Sequence, residues 1–217
     1  MVVVASGTSG GIGRAIAERF LAAGHEVWGF DIVAPSIEHP SYHHIIHDIC
    51  DELPAGLGVP DPEAIVCCAG TQDDDAAIDV NLMGTIRFAE SFVESPALRS
   101  VLFIASASAR TGSEFPRYVA SKAGIVGYMK NLALRLAPRG ITVNSISPGG
   151  VNTESNAHIL ESEELHAAVL AETLLGKWAD PEEIAELAHF MCTANRSMTG
   201  EDLLVDNGEA LKSNFIW

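Results

Sequence analysis

Short apolar runs recur along the chain, and the stretches between them carry apolar residues at helical spacing. The runs lie at Val2–Ala5, Val27–Phe30, Tyr42–Ile49, Ala64–Gly70, Val101–Ile104, Ile141–Ile146 and Leu203–Gly208. Runs of this length, bounded by glycine or polar residues, predict buried strands. Apolar residues between the first two runs fall on one helical face: Ala15, Ile16, Phe20 and Leu21. Gly24 then stands where a helix C-cap would, so the pattern predicts strand, helix, strand.

Four further helical stretches are predicted. One starts near Asp79, with its apolar positions at Val80, Met83, Ile86, Phe88 and Phe92. The others are residues 118–137, residues 154–176 and a helix opened by the capping sequence Asp180–Glu183. Two crossovers are too short or too rich in proline and glycine for a helix, namely Leu53–Pro62 and the segment from Gly70 to Asn81. The acidic run Asp73–Asp75 is interpreted as a solvated turn.

The first predicted strand ends in a glycine-rich turn, Ser6–Gly13. Such a turn directs backbone N–H groups and a helix N-terminus towards a pyrophosphate. Asp31 ends the second strand, eighteen positions after Gly13, where an acid can accept hydrogen bonds from ribose hydroxyls. Any tight corner between a strand and a helix also favours glycine. Together with Asp31, the turn predicts a dinucleotide site.

Tyr118 and Lys122 stand four residues apart, which places both on one face of a helix. A cation beside a phenol favours the phenolate, lowers the tyrosine pKa and makes proton transfer feasible near neutral pH. A nearby serine hydroxyl can hold the same substrate oxygen. The alternative is a surface Tyr and Lys on an amphipathic helix.

The turn Gly7-x-x-x-Gly11-Ile12-Gly13 together with Tyr118-x-x-x-Lys122 resembles the short-chain dehydrogenase/reductase family. The resemblance extends from about Val2 to Gly208. It implies an α/β Rossmann fold, a doubly wound, seven-stranded parallel sheet with helices on both faces. It also implies hydride transfer between NAD(P) and an alcohol or ketone.

The resemblance further implies a catalytic set of Asn81, Ser106, Tyr118 and Lys122. Tyr118 would be the acid/base, Ser106 would orient the carbonyl and Asn81 would complete a proton relay. Capping of a helix N-terminus is the alternative role for Asn81. The family serine usually stands thirteen residues before the tyrosine, where this chain has Ala105, so Ser108 is the alternative to Ser106.

The cofactor contacts implied by the resemblance are spread over the chain. They are Gly7, Ser9, Gly11, Ile12, Gly13, Asp31, Asp48, Ile49, Ala69, Gly70, Tyr118, Lys122, Pro148, Gly149, Val151 and Thr153. Asp31 would repel a 2′-phosphate, and no Lys or Arg lies between Gly7 and Gly13, so NAD is predicted in preference to NADP. Cys67 and Cys68 replace the family's two asparagines and are interpreted as buried, small apolar residues.

Residues 1–217 are predicted to form a single NAD(P)-binding domain in which 154–176 serve as a substrate lid. Candidate substrate contacts on the lid are Asn156, His158, Ile159, Leu160 and Leu165. The substrate is expected to be a small alcohol or ketone. By resemblance, the protein is expected to be a homotetramer or homodimer.

Composition excludes several other functions. A formal net charge of −16 argues against nucleic acid as a partner, and no apolar run is long enough to span a bilayer. The four cysteines form no CxxC pair, which favours the reducing cytoplasm. His39, His43, His44 and His47 are interpreted as exposed loop and edge-strand residues, and no metal is predicted.

Two rival functions use the same fold. A catalytically silent dinucleotide-binding regulator would fit the short crossovers and the missing asparagines, but it does not need the four catalytic residues. A sugar-nucleotide epimerase shares Tyr and Lys but usually carries a longer C-terminal substrate domain.

Overall fold

The computed structural model describes residues 1–113 and 115–211 of the 217-residue chain. Its strands are β1 (Val2–Ser6), β2 (Glu26–Asp31), β3 (Tyr42–Ile46), β4 (Ala64–Cys67), β5 (Ser100–Ile104), β6 (Thr142–Pro148) and β7 (Asp202–Val205). All pairings between these strands are parallel, and the spatial order is β3-β2-β1-β4-β5-β6-β7. The predicted seven-stranded parallel sheet is confirmed. The strand order reverses between β1 and β4, where sheets of this type bind ligands.

Helices cover both faces of the sheet. The α-helices of the described ranges are α1 (Gly11–Ala22), α2 (Thr85–Glu90), α3 (Ser108–Thr111), α4 (Pro116–Leu136), α5 (Ala157–Leu160), α6 (Glu163–Ala171) and α7 (Pro181–Thr193). Val3 and Ala5 of β1 pack with α1 and α7, whereas Val4 packs with α2 and α4. Successive side chains of a strand point to opposite faces, so the two cores lie on opposite sides of the sheet. This confirms the doubly wound arrangement.

The helix predicted from Asp79 begins as a π-helical segment, Ile78–Gly84, which leads directly into α2. A π turn holds more residues than an α turn and therefore changes which side chains face the core. Met83, predicted on the apolar face, is 47% exposed, so that prediction was wrong. Asn81 lies inside the π-helical segment and is fully buried, which excludes the alternative N-capping role.

The two short crossovers contain no helix, as predicted. Residues 47–63 connect β3 to β4 in turns and extended chain, and residues 68–76 lead from β4 towards the π-helical segment in the same way. The predicted cap of α7 is present, because Glu183 Oε2 accepts a hydrogen bond from the Asp180 N–H at 2.9 Å. Within the described part of the chain, no helix has the length and apolarity needed to cross a membrane.

Two histidines lie where α1 and α7 meet. The rings of His25 and His189 stack with their centroids 5.6 Å apart, and both contact the ring of Phe20. Burial lowers the pKa of both imidazoles. The positive charge of Arg19 lowers both further, while the nearby Glu63 and Glu186 carboxylates partly oppose the shift.

Acid is therefore expected to weaken the α1–α7 interface. Because folding lowers both pKa values, the unfolded chain takes up protons first as the pH falls through about 6.5. This contribution to stability is complete above that pH and is lost between it and the lower pKa values of the folded state. Replacing His189 by Leu removes one such group, so the free energy of unfolding should fall less steeply between about pH 7 and pH 5. Urea denaturation across this range measures it, and an unchanged slope would contradict the prediction.

Candidate active site

The glycine turn brings the ends of β1, β4 and α1 into close contact. Gly7 has a φ of +74°, and a Cβ placed on it would lie 2.7 Å from the Ala69 backbone. A Cβ on Gly13 would lie 1.9 Å from the Gly7 carbonyl oxygen. Ser6 Oγ accepts hydrogen bonds from the Cys68 and Ala69 N–H groups at 3.2 Å. The first turn of α1 can approach β1 this closely only because glycine occupies both positions.

The residues of this turn fit a dinucleotide. The Ser9 hydroxyl oxygen is buried and, among the described atoms, has no hydrogen-bond partner, as expected of a group that a ligand would satisfy. The N-terminus of α1 already attracts an anion, because the Gly11 N–H donates to Glu154 Oε2 at 3.3 Å. The Thr153 methyl lies 3.4 Å from where a Gly11 Cβ would be, which brings the segment after β6 over the turn.

Asp31 lies beside the turn at the end of β2. Its Oδ2 accepts from the Ser9 N–H at 2.9 Å, and its Oδ1 accepts from the Val33 N–H at 3.3 Å. A carboxylate offers about four lone-pair positions, so about two stay available. Two free acceptors match the two hydroxyls of an unmodified ribose.

Tyr118 and Lys122 lie on α4, as their spacing predicts. The Lys122 ammonium is 5.6 Å from the centroid of the Tyr118 ring, and it donates to the Ile104 carbonyl at 3.2 Å. Lys122 is only 6% exposed. The carbonyl at the end of β5 thus holds a nearly buried cation against the phenol, and this excludes the alternative of a surface Tyr–Lys pair.

Asn81 connects the segment after β4 to α4. Its Oδ1 accepts from the Thr71 N–H at 2.7 Å, and its Nδ2 donates to the Thr71 carbonyl at 2.9 Å and to Ser121 Oγ at 3.3 Å. Ser121 in turn donates to the Tyr118 carbonyl at 2.7 Å. A Cβ on Gly70 would lie 3.0 Å from Asn81 Oδ1 and 3.5 Å from Lys122 Nζ, so Gly70, Asn81 and Lys122 meet at one point.

Ser106 and Ser108 are both buried at the end of β5 and are bonded to each other. Ser106 Oγ accepts from the Ser108 hydroxyl at 3.0 Å and from the Ser108 N–H at 3.2 Å. Two donors therefore point at the Ser106 oxygen, which leaves its own O–H able to donate elsewhere. The two serines are coupled to each other, and the role of Ser106 towards a substrate stays a prediction.

The predicted nicotinamide turn follows β6. The Gly149 N–H donates to the Val205 carbonyl at 2.9 Å, and the Ala107 N–H donates to the Pro148 carbonyl at 2.7 Å, which ties the turn to the serine segment. A Cβ on Gly150 would lie 2.1 Å from the indole of Trp178. Val151 pairs with Ala179, next to that indole. Val205, Ala107 and Trp178 thus hold this turn in place.

The remaining predicted cofactor residues lie in the segment after β3 and at the start of α1. Asp48 follows β3 and its Oδ1 accepts from the Cys50 N–H at 2.8 Å. Ile49 is buried and packs against Gly84. Ile12 is half-buried in the first turn of α1. Their roles towards a cofactor stay predictions.

Cys67 is buried, as expected, whereas Cys68 is half-buried beside the turn, with its Sγ 3.4 Å from the position of a Gly13 Cβ. Burial raises the pKa of the Cys68 thiol to about 12, although the Lys122 charge acts in the opposite direction. The thiol is therefore neutral at physiological pH, which agrees with its interpretation as a small apolar group.

Asp74 is a site residue that sequence reasoning missed. Its Oδ1 accepts from the Arg117 N–H at 2.8 Å and from the Tyr118 N–H at 3.0 Å, and the Asp75 carboxylate contacts the Arg117 guanidinium. The acidic run interpreted as a solvated turn thus caps α4 at the residue that carries the phenol. In the sequence, the only signal is an acid at a distance of 44 residues from Tyr118.

The lid segment is helical, as predicted, and consists of a 3-10 turn at Glu154–Asn156 followed by α5 and α6. Asn156 donates to the Val151 carbonyl at 2.9 Å and accepts from Gln72 at 3.4 Å, so its side chain is engaged within the protein. The other candidate substrate contacts, His158, Ile159, Leu160 and Leu165, lie on α5 and α6. His43 and His44 lie on the edge strand β3, as expected, but they are half-buried and not exposed.

Comparison with known proteins agrees with this geometry. A family model described as Enoyl-(Acyl carrier protein) reductase matches residues 68–209. An uncharacterised short-chain type dehydrogenase/reductase of Sinorhizobium fredii is 28% identical over 95% of this chain. The chain belongs to the short-chain dehydrogenase/reductase family. Its members are oxidoreductases for which a nicotinamide dinucleotide is the expected cofactor.

Relatives within this short-chain dehydrogenase/reductase family differ in length and ligands. The chain spans 43% of the length of the Sinorhizobium relative. An L-rhamnose 1-dehydrogenase (NADP(+)) of Thermoplasma acidophilum is 34% identical over a shorter match, which covers 57% of this chain and 50% of that protein. The 3-oxoacyl-(acyl-carrier-protein) reductase of Aquifex aeolicus is 28% identical, and the match covers 95% of this chain and 86% of that protein. A putative 2-deoxy-D-gluconate 3-dehydrogenase of Agrobacterium tumefaciens, solved with bound NADP, superposes with a TM-score of 0.87. That structure is 28% identical, and the match covers 97% of this chain and 96% of that one.

Proposed function

We propose that the protein is an NAD-dependent dehydrogenase/reductase that interconverts a secondary alcohol and a ketone, with Tyr118 as the acid/base. The observation that carries the proposal is the nearly buried Lys122 ammonium held 5.6 Å from the Tyr118 ring. A buried cation without a catalytic task is costly to keep. Beside a phenol it favours the phenolate, the form that can take a proton from an alcohol.

In this mechanism the Tyr118 oxygen handles the substrate proton. Towards the ketone, the Tyr118 O–H donates its proton to the carbonyl oxygen as that oxygen gains negative charge; towards the alcohol, the phenolate accepts the hydroxyl proton. Ser106 donates a hydrogen bond to the same oxygen and so orients the reacting carbon. The chemistry that a bound nicotinamide cofactor would supply is hydride exchange, with NAD as the acceptor from the alcohol and NADH as the donor to the ketone.

Lys122 and Asn81 would support proton transfer by Tyr118. Lys122 stabilises the phenolate and would also bind the ribose next to the nicotinamide. Asn81 would complete the proton relay from Lys122, a role supported by the contact of both side chains with Gly70. The Pro148–Gly149 turn, with Val151 and Thr153, would hold the nicotinamide. Residues 154–176 would cover the substrate, which we propose is a small alcohol or ketone.

We propose a preference for NAD over NADP because of the negative charge of Asp31. The Asp31 carboxylate would repel a 2′-phosphate at the ribose. Arg14, the cation on the first turn of α1, contacts Glu18 at 3.9 Å and Glu154 at 3.6 Å. The Agrobacterium relative was solved with bound NADP, so in this chain we propose that Asp31 would disfavour the 2′-phosphate. We further propose a homo-oligomer, a tetramer or dimer, acting in the cytoplasm.

Thermal shift with NAD and NADP tests the cofactor, on the wild type and on Asp31→Ala. At about 100 times its Kd, a ligand stabilises the folded state by about 2.7 kcal/mol, a shift that is easily measured. The wild type is expected to be stabilised by NAD far more than by NADP, and Asp31→Ala is expected to lose this preference. Equal stabilisation by both cofactors in the wild type would overturn the NAD assignment. No response to either cofactor would refute the proposed dinucleotide site, and the oxidoreductase proposal with it.

A further inference from the structure

A chain of hydrogen bonds links the glycine turn to the edge of the sheet. Thr8 Oγ1 and the Tyr42 hydroxyl are 2.8 Å apart, the Tyr42 hydroxyl and His44 Nδ1 are 2.9 Å apart, and His44 Nε2 lies 2.9 Å from the Val33 carbonyl oxygen. Tyr42 and His44 are two apart on β3, so both point to the same face of the sheet. Thr8 is fully buried.

The last acceptor in this series of hydrogen bonds is a backbone carbonyl, which can only accept, so His44 Nε2 carries a proton. In the neutral form of the imidazole, Nδ1 is then an acceptor, the Tyr42 hydroxyl donates to it, and the Tyr42 oxygen accepts from the Thr8 hydroxyl. Burial raises the pKa of Tyr42, the Thr8 hydrogen bond partly opposes this shift, and the Asp31 charge adds to it, so Tyr42 has a proton to donate.

This series of hydrogen bonds closes into a ring through Asp31. Val33, held by His44 through its carbonyl, donates its own N–H to Asp31 Oδ1, and Asp31 Oδ2 accepts from the N–H of Ser9, the neighbour of Thr8. We define the Thr8–His44 ring as Thr8, Ser9, Asp31, Val33, Tyr42 and His44. It joins three segments: the glycine turn, the residues after β2, and β3.

Because Gly29 has no side chain, there is room beside it for the Thr8–His44 ring. Gly29 pairs with His44 in the β2–β3 register, and a Cβ at Gly29 would lie 2.4 Å from both Thr8 Oγ1 and the Tyr42 hydroxyl. Val33, which the ring holds, and its neighbour Ile32 are 54% and 66% exposed and directly follow Asp31. Without the hydrogen bond from His44, the position of Val33 in the ring would depend on the hydrogen bond from its own N–H to Asp31 Oδ1.

We propose that His44 is a positioning residue for the adenosine half of the cofactor, acting through the Val33 carbonyl to fix Asp31 and the residues after it. This inference rests on the proposed cofactor site. Since His44 lies at the adenosine end, its loss acts on the adenosine half of NAD and leaves the nicotinamide half unaffected. A residue that only stabilised the fold would affect both halves.

The test compares three ligands by competition with NADH fluorescence: NAD, AMP as the adenosine half, and nicotinamide mononucleotide as the other half. His44→Ala is expected to raise the Kd for NAD and for AMP about fivefold, the effect of one lost hydrogen bond, and to leave the Kd for nicotinamide mononucleotide unchanged. His44→Gln should recover part of the loss, because its amide N–H can donate to the Val33 carbonyl.

His43→Ala is the matched control. His43 points to the opposite face of β3, stacks on Trp28 at 4.4 Å and lies 3.1 Å from Glu26 Oε1. The His43→Ala variant should bind AMP as the wild type does. The inference is overturned if His44→Ala keeps wild-type affinity for AMP, if it loses affinity for both halves equally, or if His43→Ala loses as much. A wild type that binds neither NAD nor AMP refutes the proposed cofactor site itself, and this inference with it.

Discussion

Replacing Tyr118 by Phe is expected to lower kcat by about 10²- to 10⁴-fold, the usual contribution of a positioned acid/base. The ring stays, so its packing and its contact with Lys122 are kept, and only the oxygen that carries the proton is lost. The affinity for NAD should change little, because the proposed contact of its adenosine half is Asp31, which lies at the end of β2 and not on α4. The measurement is NADH formation with a panel of secondary alcohols, and NADH consumption with the matching ketones.

Tyr128→Phe is the matched control for this variant. Tyr128 lies on the same helix, but its hydroxyl donates to Glu90 Oε1 at 2.8 Å, on the side of α4 that packs against α2. It should keep kcat while losing some stability. Wild-type turnover in Tyr118→Phe would refute the proposed mechanism. If the wild type itself turns over no substrate but binds NAD, the silent regulator becomes the better description; inversion of a hydroxyl without net change in NADH would indicate the epimerase.

Ionisation of the tyrosines offers a check that needs no substrate. Burial raises the pKa of both Tyr42 and Tyr128. The chain has three tyrosines, and only Tyr118 has the Lys122 ammonium against its ring. The first phenolate absorbance to appear as the pH rises is therefore expected from Tyr118, and it should be missing in Tyr118→Phe.

Replacing Gly13 by Ala is expected to disrupt the glycine turn. The new Cβ would lie 1.9 Å from the Gly7 carbonyl oxygen and 2.7 Å from the Gly7 carbonyl carbon, both backbone atoms that no side-chain rotation can move. Overpacking of this kind costs about 1–3 kcal/mol or more, and each kcal/mol lowers the Tm of a chain of this size by about 2–4 °C. Because α1 must move away from β1, NAD binding should weaken more than tenfold.

Gly10→Ala isolates the steric cause. Gly10 belongs to the same turn, but its φ is −158°, which any residue adopts, and a Cβ there would meet nothing within 4 Å. Its Tm should stay within about a degree of the wild type. A Gly13→Ala variant as stable as Gly10→Ala would show that α1 can shift without cost, contrary to the packing described above. Scanning calorimetry of the three proteins makes the comparison.

The sequence predicted those features that depend on neighbouring residues. Apolar runs identified the strands at the centre of the sheet, because a strand buried on both faces must be apolar throughout. The edge strands β3 and β7 are only half-buried, and β3 carries two histidines, so their pattern is weaker. Glycines between β1 and α1 identified the turn, and the four-residue spacing placed Tyr118 and Lys122 on one helical face. Proline and glycine between β3 and β4 correctly predicted a crossover without a helix.

Contacts between distant residues were decided only by the tertiary structure. Asp74 reaches the first turn of α4 because β4 and β5 are neighbours in the sheet, and the π turn at Asn81 moves Met83 away from the core. Tyr42, His44 and Thr8 meet because β3 pairs with β2 in one register, opposite Gly29. The apolar pattern of a half-buried edge strand such as β3 specifies its register only weakly, so the pairing with β2 is decided by the packing of the whole sheet.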